Sequence, residues 1–286
     1  MSSATETARR PARPAPSAAA PRRRRPGRWI AKVLHAYTWL MIFYLAAPIL
    51  VMIVFGFNDT HSRVNLRWQG FTVKWYGKLF DIPDLSAALR NSLLIALLTT
   101  VIATVLGTMV GLSLGRYRFR GMATLDLLMF GNIAAPELVL GAALLTLFIT
   151  VQFQRGFLTI LVAHVMFTIA YVAVTVRARL AGFDRTLEEA AQDLGADPWA
   201  TFRKITLPLI FPGILAGALL SFALSIDDFV ITNFNSGQTQ TFPIWVFGAT
   251  RVGVPPQVNV MGTLIFLGGI GLAVGNAIAA RRRTLE

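Results

Sequence analysis

Cysteine is absent from the 286 residues, so the chain has no disulfide framework, no thiol nucleophile and no thiolate metal site. Histidine is scarce, and His35, His61 and His164 fall on separate segments, which argues against a metal centre and for structural or interfacial roles. No G-x-x-x-x-G-K-[ST] stretch occurs, so the chain cannot cradle a nucleoside triphosphate in a P-loop by itself. Neither an internal repeat nor an inverted pair of half-chains is visible, which disfavours several secondary-transporter architectures. Charge is thin as well, at 14% of residues against 55% hydrophobic ones, with a mean hydropathy of +0.58. A soluble domain of this length rarely has such a balance, so most of the chain belongs in lipid.

What charge there is, is positive: 27 Lys and Arg against 14 Asp and Glu. A nucleic-acid binder would gather these on a folded polar face. Here they flank apolar runs instead. Six such runs approach the roughly 20 residues that a helix needs to cross a bilayer. They are 36–57, 88–114, 125–148, 157–176, 210–232 and 260–280. The first is too long for the apolar core of a signal peptide and is read as a retained span. Before it, residues 1–28 carry Arg22–Arg25 among Pro, Ala and Ser, the composition of a disordered arm. The expected class is all-α and polytopic, with that arm followed by one transmembrane domain over 29–286.

Six spans place both termini on one side. Lys and Arg up to Lys32, at 116–120, from Arg177 to Lys204 and at 281–283 make 20 on that side, leaving seven opposite. The positive-inside rule therefore puts both termini and residues 183–208 in the cytoplasm.

Residues 186–208 form a polar island between two apolar runs. Thr186 stands three before Glu189, which predicts a capping box at a helix start. Leu187, Ala190, Ala191 and Leu194 recur on one face, and Gly195 is placed to stop the helix. Asp197-Pro198 then restarts one. Helix, glycine elbow, helix is a shape that docks into a groove on a partner. The arrangement Glu189-Ala190-Ala191, Gly195, Ile205, Leu207-Pro208, that is EAA-x3-G-x9-I-x-L-P, resembles the cytoplasmic coupling loop of ABC-importer permeases.

Three carboxylates lie in or beside apolar spans, where a charge costs about 2.5–3.5 kcal/mol at the span centre, so that such groups face a cavity, pathway or partner. Glu137 follows Pro136 in GNIAAPELVLG, and that proline, with Gly131 and Gly141, predicts a bent or locally opened helix. Asp227 and Asp228 sit in LSFALSIDDFVITNF; on one helix they would point about 100° apart, so both cannot face one ligand equally, and pairing with a basic residue or capping a helix end is the alternative for one of them. Asn91 suggests a cap or a cavity wall. Gly107 and Gly111 form a GxxxG packing face, and Gly268, Gly269, Gly271 and Gly275 suggest close packing of the last span.

The stretches SFALSIDDFVITNFNSG, FPIWVFGATRVGVPPQVNVMGTLIF and GNIAAPELVLGAALL make residues 36–280 similar to the second permease subunit of spermidine/putrescine ABC importers. The resemblance implies a type I importer permease in the bacterial inner membrane. It also implies a sister permease as heterodimer partner, two copies of a cytoplasmic ATPase and an extracytoplasmic solute-binding protein. ATP and magnesium would then bind on the ATPase, with no cofactor and no enzymatic activity in this chain. It carries the coupling role to Glu189, Ala190, Ala191, Gly195, Ile205, Leu207 and Pro208, and a pathway role to Glu137, Asp227 and Asp228. Related permeases carry iron, thiamine or other small cations. An ATP-independent channel or carrier, and a membrane-tethered nucleic-acid binder resting on the basic arm, are the rivals from other classes.

Overall fold

The computed structural model describes residues 28–62 and 64–283; the expected arm lies outside them, apart from Arg28. Helix α1 (Arg28–Phe55) carries Pro48 within it. Residues up to Pro48 form one unit and Ile49 onward a second. In the second unit follow α2 (Lys74–Gly77), α3 (Pro83–Arg116), α4 (Met122–Ala134), α5 (Glu137–Thr150) and α6 (Phe157–Ala181). Then come α7 (Thr186–Asp193), α8 (Pro198–Thr201), a π turn (Phe202–Thr206), α9 (Leu207–Ile226), α10 (Val230–Asn235), α11 (Phe242–Ala249) and α12 (Pro256–Arg283). Among the described residues there is no strand, only an isolated antiparallel bridge between Asn58 and Phe71.

Among the described residues five helices are long and apolar enough to cross a membrane, and the α4–α5 pair makes a sixth if counted as one broken span. The break is the one that Pro136 predicts. Its ring removes an N–H and biases Ala135 to extended backbone, and α4 and α5 meet at 111°. Ala135 and Pro136 both have ψ 134.

At the centre, α3, α6 and α9 pack on one another. Gly107 and Gly111 let α3 approach α6 closely; a Cβ on Gly111 would come within 2.6 Å of the Ala173 carbonyl oxygen. Ala103, Val172, Val176 and Ile210 fill the space between. The expectation for the last span is corrected: a Cβ on Gly268, Gly269, Gly271 or Gly275 would meet nothing within 4 Å, so these glycines pack against no described part of the chain. Gly262, on the same helix, is the close one, with the Met52 sulfur 2.7 Å from its virtual Cβ.

The connection before α2 is folded around Asn58, which is fully buried. Its amide nitrogen donates to Asn65 Oδ1 (2.6 Å) and the Arg67 carbonyl, while its oxygen accepts from Gln69 N–H. Trp75 Nε1 donates to the Asn58 carbonyl, and Asp59 pairs with Lys74. That pairing holds the Asp59 carboxyl below its ordinary range.

Candidate functional sites: a two-helix loop and an acidic break in a span

The loop after α6 forms the expected helix, glycine elbow and helix. Its start differs from expectation. Thr186 is not the cap and no Thr186–Glu189 capping box forms; Asp184 Oδ1 accepts the Thr186 N–H at 3.0 Å instead. Two residues upstream, the charged Asp184 carboxylate takes this free donor. The end follows expectation: Gly195 has φ +87, its N–H donates to the Gln192 carbonyl, and Ala196 N–H donates to the Ala191 carbonyl. These two bonds close a Schellman motif, which needs a left-handed residue at that position. Asp197 Oδ1 then accepts Ala200 N–H at 2.8 Å, with Pro198 as the first helical residue.

Ile205, Leu207 and Pro208 do not end the loop, as a span beginning at 210 would have it. They lie inside continuous helix from Pro198 to Ile226. Pro208 cannot donate to a carbonyl four residues back. The helix widens just before it, and Leu207 N–H reaches five residues back, to the Phe202 carbonyl. Leu187, Leu194 and Trp199 stand exposed on this loop, Leu194 at 90%. Glu189 and Ala190 are exposed and Ala191 half-buried.

The sequence reading missed the loop's buried charge. Glu188, one residue before the motif, takes the Arg116 guanidinium on both carboxylate oxygens and the Thr206 hydroxyl on Oε1. Arg116 also stacks over Phe183, 5.1 Å from the ring centre. Burial alone would raise the Glu188 carboxyl; Arg116, Thr206 and the charge of Arg185 more than offset it and hold it low. The one sequence signal was the unmotivated second acid of Glu188-Glu189. Its partner, 72 residues away, leaves no periodic trace.

Asp227 and Asp228 part as expected, one of them capping a helix end, but the span that holds them differs from expectation. The span 210–232 is not one helix: α9 ends at Ile226 and α10 begins at Val230. The two carboxylates therefore separate. Asp228 is buried and caps α10, accepting Thr232 N–H (2.7 Å), the Thr232 hydroxyl (2.6 Å) and Ile231 N–H (3.4 Å). His164 Nε2 lies 3.3 Å from Asp228 Oδ2, and the same ring bonds Ser225 through Nδ1 and Thr232 through Nε2. His164 is thus a structural histidine pinning the break, and no group of three metal-ligating side chains occurs among the described residues. Asp227 is exposed and lines a groove of about 940 Å³ between α9, α11 and α12. The walls include Phe222, Phe229, Phe242, Phe247 and Phe266, and among the described residues Asp227 is the one ionisable side chain in the lining.

Glu137 does not join it. It is exposed in the first turn of α5, beyond the 111° bend, and is not part of the groove lining. Asn91 acts as a tie: its amide donates to the Gln240 carbonyl at 2.9 Å, while Ser92 Oγ accepts Phe242 N–H. Together they fix the start of α11, one wall of the groove.

A polytopic helical bundle with an exposed two-helix loop is the architecture of an importer's membrane subunit. Residues 103–281 match the family described as binding-protein-dependent transport system inner membrane component, and the chain belongs to that family. It is 38% identical over 242 residues to the spermidine/putrescine transport system permease protein PotC of Escherichia coli K12, covering 84% of this chain and 91% of that one. It is 41% identical over 237 residues to the putrescine transport system permease protein PotI of the same organism, covering 80% and 83%. Among solved structures, a bacterial ABC transporter involved in alginate import superposes with TM-score 0.63 at 15% identity, over 89% of this chain and 96% of that one. The MetNI methionine ABC transporter superposes with TM-score 0.59 at 16% identity, over 69% and 95%. The chain is a multi-pass inner-membrane ABC importer permease with the type I fold.

Proposed function

We propose that this permease carries polyamines inward, and that Asp227 is the acid their ammonium groups meet. The observation that carries the reading is the groove: an apolar, phenylalanine-lined trough with one carboxylate at its helix break. A polyamine alternates ammonium groups with methylene segments. Aromatic faces attract the cation while apolar walls take the methylenes. At 4 Å, opposite charges attract by about 4 kcal/mol at an effective dielectric of 20, against about 1 kcal/mol in bulk water. One acid gives attraction without a closed cage, so the solute can leave. The fold does not supply this inference, since the structural neighbour is described as importing an acidic polysaccharide. The spermidine/putrescine and putrescine permeases at 38% and 41% identity support it.

In this reading a sister permease completes the pathway and an external binding protein delivers the solute. Two copies of an ATPase hold the ATP and magnesium, and one of them docks on residues 183–208. Both termini face the cytoplasm, as the basic asymmetry demands. Exposed Leu187, Leu194 and Trp199 on a water-facing loop fit a surface that a partner covers. Uptake of radiolabelled putrescine and spermidine into proteoliposomes holding the full complex, with ATP hydrolysis followed in parallel, tests the assignment. Asp227→Asn should cut uptake about tenfold or more, each 1.4 kcal/mol being a factor of ten. Wild-type uptake in that variant, or no polyamine uptake by the unaltered complex, would exclude it.

A further inference from the structure

Three elements meet at the Glu188 carboxylate. Arg116 closes the last turn of α3, Glu188 belongs to α7, and Thr206 ends the π turn where α9 begins. Both carboxylate oxygens engage Arg116, and Oε1 also takes the Thr206 hydroxyl. A two-pronged guanidinium–carboxylate pair resists rotation as well as separation. The side chains are only 21% and 11% exposed, so water competes weakly for them. The apolar docking face of α7 is a different one: Glu188 lies about 100° round the helix from Leu187.

The covalent links of α7 run through Gly182 upstream and the Gly195 elbow downstream, and a Cβ at either would meet nothing within 4 Å, so neither glycine packs α7 against a span. A push passed down the chain through α8 would also have to cross the widened π turn. Thr206 is the last residue of that turn, so a force entering there acts on the α9 side of it.

Building on the reading of residues 183–208 as the ATPase dock, we propose that Glu188 is a positioning residue for transport. It grips Arg116 and Thr206 so that displacement of α7 moves α3 and α9 together rather than being absorbed in the loop. The carboxylate drives two spans that pack against each other along the core.

The readout is solute imported per ATP hydrolysed, measured in proteoliposomes with the complete complex. Glu188→Gln keeps the side-chain shape and removes the charge. It should leave the ATPase bound and hydrolysing while the ratio falls roughly two- to thirtyfold, the range of coupling changes produced by residues that touch neither ligand. Thr206→Val, which removes one hydrogen bond, should give a smaller fall. Exchanging the partners, Glu188→Arg with Arg116→Glu, should recover much of the ratio lost in either single reversal. A wild-type ratio in Glu188→Gln, or uptake and hydrolysis falling in proportion, overturns the proposal and leaves the clamp a purely structural contact. Leu194→Asp, on the exposed face, separates this from the docking reading. If the ATPase stays bound in Leu194→Asp, the dock itself is wrong. If it is lost there while Glu188→Gln keeps its ratio, the dock stands and the transmission role falls.

Discussion

Replacing Gly111 by alanine adds one methyl group where α3 meets α6, and the geometry fixes what it strikes. The new carbon would lie 2.6 Å from the Ala173 carbonyl oxygen, 3.3 Å from Ala173 Cα and 3.1 Å from Val176 Cβ. Two of these are backbone atoms, and the third is the branch point of a β-branched side chain, so no rotamer change relieves the contact. The two helices must move apart instead. Overpacking of this kind costs about 1–3 kcal/mol, and with backbone in the way the upper half of that range applies. Exchanging glycine for alanine in a helix returns at most about 1 kcal/mol. The net expectation is a loss of about 1–2 kcal/mol. Two other glycines serve as internal standards. At Gly115 the added carbon meets Leu180 Cδ1 at 2.9 Å, the far end of a flexible side chain. At Gly268 it meets nothing, so only the propensity gain operates. Thermal unfolding of the purified protein in one detergent should rank Gly111→Ala lowest, Gly115→Ala nearer wild type and Gly268→Ala at or above it. Equal midpoints for Gly111→Ala and Gly268→Ala would refute the close α3–α6 approach.

Asp228→Asn should lower the unfolding midpoint, because the cap of α10 and the His164 partner are weakened together at a cost of about 1–3 kcal/mol; Asp227→Asn should leave the midpoint unchanged and reduce uptake alone. Single cysteines at the exposed positions Ser62, Gln238 and Asp193 of this cysteine-free chain should label with an impermeant thiol reagent on intact spheroplasts at the first two and not the third; labelling at 193 would reverse the orientation. The Glu188 carboxyl, facing Arg116, Arg185 and Thr206, is held low, so its contribution to stability is complete above the unfolded value of about 4.3 and is lost as pH falls through the lower folded value. Solute imported per ATP hydrolysed should therefore stay flat from about pH 8 down to about pH 5 as far as this group is concerned; a fall beginning near neutrality would refute the ionised clamp.

The parts legible in the sequence were those written in local chemistry. Span lengths, the break at Pro136 and the left-handed Gly195 all follow from what neighbouring residues can do. Thr186 shows the limit of such signals: it fits the capping pattern, yet Asp184 has the better placed acceptor, and local rules do not rank two competitors. Pro208 stands before the expected span start at 210, whereas a π turn absorbs its missing donor and the helix runs on from Pro198. The Glu188–Arg116 pair was illegible because its partners are related only through the tertiary fold. The crowded glycines of α12 misled for a similar reason: composition tells that a helix can be approached closely, not which part of the molecule does so.

The acidic pair at 227 and 228 shows why two adjacent carboxylates serve better than one. A span interrupted at membrane depth exposes backbone donors that lipid cannot satisfy, so irregular backbone survives only where protein buries it or a cavity borders it. The break between α9 and α10 meets both conditions, one on each side. Asp228 turns inward, accepts the Ile231 and Thr232 N–H groups and is steadied by His164. Asp227 turns to the groove. With Asp228 alone the groove would have apolar walls and no charge to meet a cation. With Asp227 alone the first turn of α10 would lose its acceptor, and the backbone holding Asp227 in place would lose its anchor. The cargo-facing role proposed for Asp227 therefore depends on its neighbour's structural one, and neutralising the two should give different losses: transport with a stable fold in one case, the fold itself in the other.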